Sequence, residues 1–166
     1  MSLRRISLIS LVSITLAGCS SFLTDPVAPP QDVSLSFSYV GTGYQQFQCT
    51  ADSKGYYWRF IAPEVEIRDA TGKLFARQSA DFTFSAPDGS SLKAKINASS
   101  SSSSHTKMKD VLFEGTPRGN LKGTLSNFKW VKRTDARGGI PTTGCYRGNL
   151  GTFLKVPFSA NYAFYK

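Results

Sequence analysis

The side chains of this 166-residue chain best suited to chemistry are three cysteines, a single histidine and a few carboxylates. Cys19 comes first. It closes the run Leu16-Ala17-Gly18-Cys19, which follows Arg4, Arg5 and the apolar-rich stretch Ile6 to Leu16. A basic start, a short apolar run and small residues before a cleavage point make a secretory signal, and the run is too short for a comfortable membrane span. The last four residues look like a bacterial lipobox. In that reading the Cys19 thiol takes diacylglycerol, residues 1–18 leave as a signal peptide, and several acyl chains on one residue hold the protein at a membrane. Residue 20 is serine rather than aspartate, which fits an outer-membrane lipoprotein of the cell envelope facing the periplasm.

With Cys19 acylated, Cys49 and Cys145 remain. An exported compartment permits oxidation, so the pair reads as one disulfide, with two separate reduced thiols as the alternative. A bridge closing roughly a hundred residues is worth about 4–5 kcal/mol in the chain-entropy picture. Metal chemistry has little to work with. His105 is the only imidazole, and no Cys-x-x-Cys spacing occurs. No metal or cofactor is predicted.

Catalytic constellations are equally thin. A serine nucleophile needs a base within hydrogen-bond reach, and His105 directly follows the run of six serines Ser99 to Ser104. That run reads as a solvated loop. Glu64 and Glu66 lie two apart on a predicted strand and so face one side. Two carboxylates can divide acid and base work in glycoside hydrolysis, but a solvent face alternating with Val65 and Ile67 accounts for them better. Trp58 or Tyr57 could stack on a sugar ring, but in a small β domain aromatics of this kind more often pack into the core. No catalytic residue is assigned.

The elements that must position these groups follow a period of two. Val33, Leu35, Phe37 and Tyr39 alternate with serines; Tyr56 to Ile61 and Glu64 to Arg68 alternate again, with Pro63 between them as a strand limit. Asp69-Ala70-Thr71-Gly72 and Asp88-Gly89 are turn signals. Leu74–Phe75, Phe82–Phe84, Leu92–Ile96, Leu121–Val131, Phe153–Val156 and Ala160–Tyr165 read as strands; Met108 to Glu114 is strand or helical turn. Arg137 to Cys145, with Gly138, Gly139, Pro141 and Gly144, is a shaped loop. Short strands at this spacing predict an all-β domain, an antiparallel β-sandwich or barrel with little helix, over residues 33–166. Residues 19–32, with Pro26, Pro29 and Pro30, read as an extended tether.

These residues also carry a resemblance. Cys49, Gly55-Tyr56-Tyr57-Trp58-Arg59-Phe60, Ala62-Pro63-Glu64, Asp69-Ala70-Thr71-Gly72, Asp88-Gly89-Ser90, Arg137-Gly138-Gly139-Ile140-Pro141 and Gly144-Cys145 follow one another in order. Val156-Pro157-Phe158-Ser159-Ala160, Tyr162, Phe164 and Tyr165 close the series. Over roughly Tyr44 to Tyr165 the chain resembles the extracytoplasmic proteins grouped as domain-of-unknown-function family 3455. The resemblance implies a cysteine at both positions 49 and 145 and brings no activity with it. It also implies a histidine followed by Gly-Pro-x-Trp, where this chain has Gln78 and Asp81-Phe82-Thr83-Phe84.

The net charge of +9 is uneven: residues 101–166 hold 11 Lys and Arg against 3 Asp and Glu. Lys129, Lys132, Arg133 and Arg137 are the densest group. Such a cluster attracts anionic polymers, here envelope glycan, lipopolysaccharide or an envelope protein partner; export disfavours nucleic acid as a physiological ligand. The residues thus predict a non-enzymatic binding or structural module held to a membrane by its N-terminal lipid. The alternative is a hydrolase of envelope polymers built on carboxylates.

Overall fold

The computed structural model describes residues 25–101 and 108–166. Cys19, the signal residues 1–18 and His105 lie outside the described residues.

Among the described residues, eight strands form one antiparallel sheet that closes on itself. They are β1 (Leu35–Asp52), β2 (Gly55–Arg68), β3 (Leu74–Gln78), β4 (Thr83–Ser85), β5 (Ser90–Ser99), β6 (Val111–Gly119), β7 (Trp130–Gly138) and β8 (Phe153–Tyr165). Each pairs with the next, and β8 returns to β1 over a long register, from Leu35 opposite Tyr165 to Gln48 opposite Phe153. Of the two predicted architectures, the barrel is the one found. Closure leaves no edge strand exposed to another chain.

The period-two pattern sorts the side chains. Ile67, Ala76, Phe84, Leu92, Phe113, Val131, Tyr162 and Phe164 are inside and fully buried. Phe164 meets Phe75 and Phe84 edge-on at centroid distances of 5.0 and 5.9 Å, a geometry that aromatic quadrupoles favour, and Phe128 at a tilt at 5.6 Å. The floor is closed by a short 3₁₀ turn, Thr124–Asn127, whose Leu125 is buried. Above this floor β1 carries glycine inside: a Cβ on Gly41 would lie 2.5 Å from the Tyr162 ring. The missing side chain makes room for that ring.

The structure departs from the sequence expectations in five places. Residues 40–52 continue β1, and β2 runs through Pro63 without a break. Pro63 stands opposite Gln45 of β1 and lies beyond the pairing with β3, which begins at Val65, a local edge at which a strand accepts a residue without an N–H. Leu121–Val131 is a turn and a 3₁₀ segment until β7 starts at Trp130. Tyr57 is exposed, not core, because the β1–β2 hairpin runs on to its tip at Asp52 and Gly55. Finally, the last part of the predicted tether is docked. Val27 is buried against Leu112 and Trp130 on the outside of the barrel, and Lys132 donates to Asp25 at 2.5 Å.

Candidate functional site

The strands alternate in direction, so the loops fall at two ends. The floor end holds the Asp69–Lys73 turn, the Asp88–Gly89 turn and the Thr124–Asn127 segment. Asp88 fastens it: one carboxylate accepts from the Ser90 and Thr124 backbone N–H groups and both hydroxyls. Those bonds, the Ser90 hydroxyl first, hold the Asp88 carboxyl well below the usual carboxylate range.

The other end is hollow. A cavity of about 300 Å³ opens there. Its walls are Phe47, Phe60, Phe82, Ile96, Met108 and Phe113, and the loop after β7 adds Ile140 and Pro141. Phe60 and Ile96 remain 40% and 50% exposed, which marks the opening. The aromatic contacts continue up from the core: Phe82 lies 5.5 Å from Phe113 and 6.2 Å from Phe60, and Phe60 lies 5.8 Å from Phe47.

Backbone at this mouth departs from the ordinary. Asp81 and Phe82 have φ of 56° and 53°, a left-handed region costly for side chains other than glycine. They occupy the stretch where the resemblance implies Gly-Pro. Gly139 has φ +79°, and a Cβ there would fall 2.4 Å from the Met108 sulfur. Only glycine lets this loop lie against the cavity wall.

Two polar side chains sit at the base of the cavity. Gln45 is 2% exposed and Arg133 is 6% exposed. The Arg133 guanidinium donates through one Nη to the Lys109 carbonyl at 2.9 Å and lies 5.7 Å from the centre of the Phe158 ring. Burial pulls its pKa down, opposed by the Tyr162 hydroxyl and Asp110. Among the described residues, neither Arg133 Nε nor Gln45 Nε2 has a hydrogen-bond partner. Unpaired buried donors are uncommon and ask for an explanation.

The four basic residues predicted as one surface patch are separated. Lys129 is exposed near the floor end, over the Trp130 ring at 5.9 Å. Lys132 points outward and is taken by Asp25. Arg133, its neighbour in the strand, points into the barrel. Arg137 is exposed beside a shallow outer groove with Asp135 and Asn161. At ~3.3 Å per strand residue, Lys129 and Arg137 are about 20–25 Å apart. Density in sequence did not survive alternation and strand length.

Glu64 and Glu66 do share the outer face, beside a groove of about 600 Å³. Each is tied to a cation. Lys155 and Gln46 hold Glu64; Arg68 and Arg77 hold Glu66. Those hydrogen bonds, Lys155 for one and Arg68 then Arg77 for the other, lower both pKa values. A general acid needs the opposite shift. Gln78, standing where the resemblance implies histidine, is buried in the barrel and accepts from the Tyr162 hydroxyl at 2.9 Å. Burial pushes the Tyr162 pKa up, so both partners are neutral.

Cys49 and Cys145 are joined, with Cα atoms 5.4 Å apart and a sequence separation of 96. The bridge pins the loop after β7 to β1. Trp58 Nε1 adds a hydrogen bond to the Thr143 carbonyl at 2.7 Å, and Cys49 exchanges backbone bonds with Gly151 and Thr152 at 2.9 Å. The loop that supplies Gly139, Ile140 and Pro141 to the cavity is therefore held from both ends.

The family described as "Protein of unknown function (DUF3455)" matches residues 71–166. The chain belongs to domain-of-unknown-function family 3455. The matched segment spans β3 to β8 and includes Arg133, the Gly138–Pro141 loop and Cys145. Cys49 and the Gly55–Glu64 stretch fall before it. No curated protein and no solved structure matches the chain. Sequence reasoning missed the cavity itself. Its polar pair was hidden in different signals: Gln45 in a run of polar residues within β1, and Arg133 in a cluster that looked like surface charge.

Proposed function

We propose that this member of family 3455 is a non-enzymatic binding protein of the bacterial envelope, acylated on Cys19, whose barrel mouth takes a small apolar ligand. The observation that carries this reading is the hollow end of an otherwise filled barrel. Small ligand sites are concave, mainly apolar, and carry a few placed polar groups. An eight-stranded barrel has just enough interior to hold one small ligand. The docked Asp25 also shortens the tether. It is six steps along the chain from Cys19, a reach of at most about 20 Å, so the barrel rides close to the membrane surface.

A neutral fluorescent probe tests the cavity. N-phenylnaphthylamine added to the full chain carrying Cys19→Ala, refolded oxidatively without detergent, should brighten with one-to-one stoichiometry. Decanol should displace it, and Ile140→Trp at the mouth should weaken it. Probe binding unaffected by Ile140→Trp, or none at all, counts against this site. Loss of lipid-precursor labelling in Cys19→Ala supports the anchor; retained labelling removes it.

The carboxylate hydrolase remains the second reading, because Glu64 and Glu66 share the outer groove. It calls for at least one of them to titrate near neutral pH; both held below the ordinary carboxylate range speaks for ion pairs.

A further inference from the structure

Building on that reading, we infer that the ligand is an amphiphile with a single anionic head, bound head-inward on Arg133 and Gln45 with its apolar part along the aromatic walls.

Arg133 and Gln45 both line the cavity, and each carries a buried donor with no acceptor, the Arg133 Nε–H and the Gln45 amide. A buried donor with no acceptor costs free energy, so a ligand that supplies acceptors gains more than one that supplies donors. Arg133 sets the sign. Among the described residues no carboxylate lies within ion-pair distance of it, although Asp110 is near enough to favour its charged form. One Nη is already committed to the Lys109 carbonyl, which leaves the Nε–H as the donor in need of an acceptor. A planar carboxylate can be met by a guanidinium edge through parallel hydrogen bonds. Outward from this pair the walls are Phe47, Phe60, Phe82, Ile96, Met108 and Phe113. At about 300 Å³ the cavity lies at the small end of ligand sites. It has room for a medium-length acyl chain and none for a whole phospholipid.

The test compares three heads on one tail by titration calorimetry: decanoate, decanol and decyltrimethylammonium, with the detergent-free Cys19→Ala full chain, so that no attached acyl chain competes. Decanoate should bind about tenfold or more tighter than decanol, with the ammonium weakest. Arg133→Gln should remove that preference by bringing decanoate binding down to the level of decanol. Thermal melting reports whether each variant folds. If Arg133→Gln does not fold, Arg133→Lys, which keeps the charge and loses the planar edge, and Gln45→Met carry the same comparison. Decanol binding as tightly as decanoate overturns the anionic head and leaves the cavity reading standing. Failure of all three compounds together with the neutral probe overturns both. Decanoate binding unmoved by any of these substitutions places the anion elsewhere and overturns the inference.

Discussion

Lys132 and Arg133, adjacent in β7, lie on opposite sides of the barrel wall. Outside, the Lys132 ammonium meets Asp25 at 2.5 Å. Inside, the Arg133 guanidinium is 6% exposed and reaches the Lys109 carbonyl. One strand step separates an ion pair that docks the N-terminal segment from a buried cation at the base of a cavity. The two charges therefore have separable consequences.

The N-terminal segment should be held chiefly by Val27. Val27→Ala removes two buried methyl groups and should cost about 1.5–2.5 kcal/mol, seen as a lower urea midpoint and faster proteolysis between Asp25 and Asp32. Lys132→Ala should cost less than about 1 kcal/mol, because its partner is half exposed and screened. Equal losses from the two would contradict this division.

Reducing Cys49–Cys145 should lower stability by about 2–5 kcal/mol. The loop after β7 should loosen first, since the bridge is its main tie to β1. Urea unfolding with and without reductant gives the magnitude. Amide exchange at Gly139 and Ile140 should accelerate more than at Phe113, and uniform acceleration would argue against a local role.

Tyr162→Phe strands the Gln78 side chain in the barrel. The expected cost is about 1–3 kcal/mol for the unpaired amide. Adding Gln78→Leu should recover part of it, a coupling that a double-mutant cycle reads directly. Strict additivity would mean that the 2.9 Å bond contributes little.

Acid should act through the floor. Asp88 has a depressed pKa in the folded state and an ordinary one, near 3.9, when unfolded. Its contribution is present above that ordinary value and is lost as pH falls through the folded one. Melting temperature should fall below about pH 4, and Asp88→Asn should flatten that acid limb. An unchanged limb in Asp88→Asn would assign it to other carboxylates.

The fold class was legible wherever one face was buried and the other solvated. Leu92 and Ala94 point inward while Lys93 and Lys95 point out, and such alternation has only one structural meaning. Gly72 and Gly89, at φ +83° and +81°, announced their turns in the same way. The second half of β1 was not legible. Gly41, Gly43, Gln45 and Gln46 carry no hydrophobic alternation, because Tyr162 fills the interior at Gly41 and a cavity stands above Gln45. The site was hidden by the same features that make it: a hollow interior needs fewer apolar inward side chains, and a cation placed inside looks, in sequence, like one placed outside. The disulfide was the exception, since the two cysteines left beyond the predicted Cys19 anchor read as a pair without any geometry.

The most direct test of Arg133 and the barrel mouth as the ligand site is amide and guanidinium NMR of the folded chain during a decanoate titration. The Arg133 Nε–H and Gln45 side-chain resonances should move most, together with the Gly139 amide and the Phe60 ring, saturating on a single curve. Shifts concentrated instead at Glu64, Glu66 and Arg77, with the Arg133 Nε–H unmoved, would contradict it.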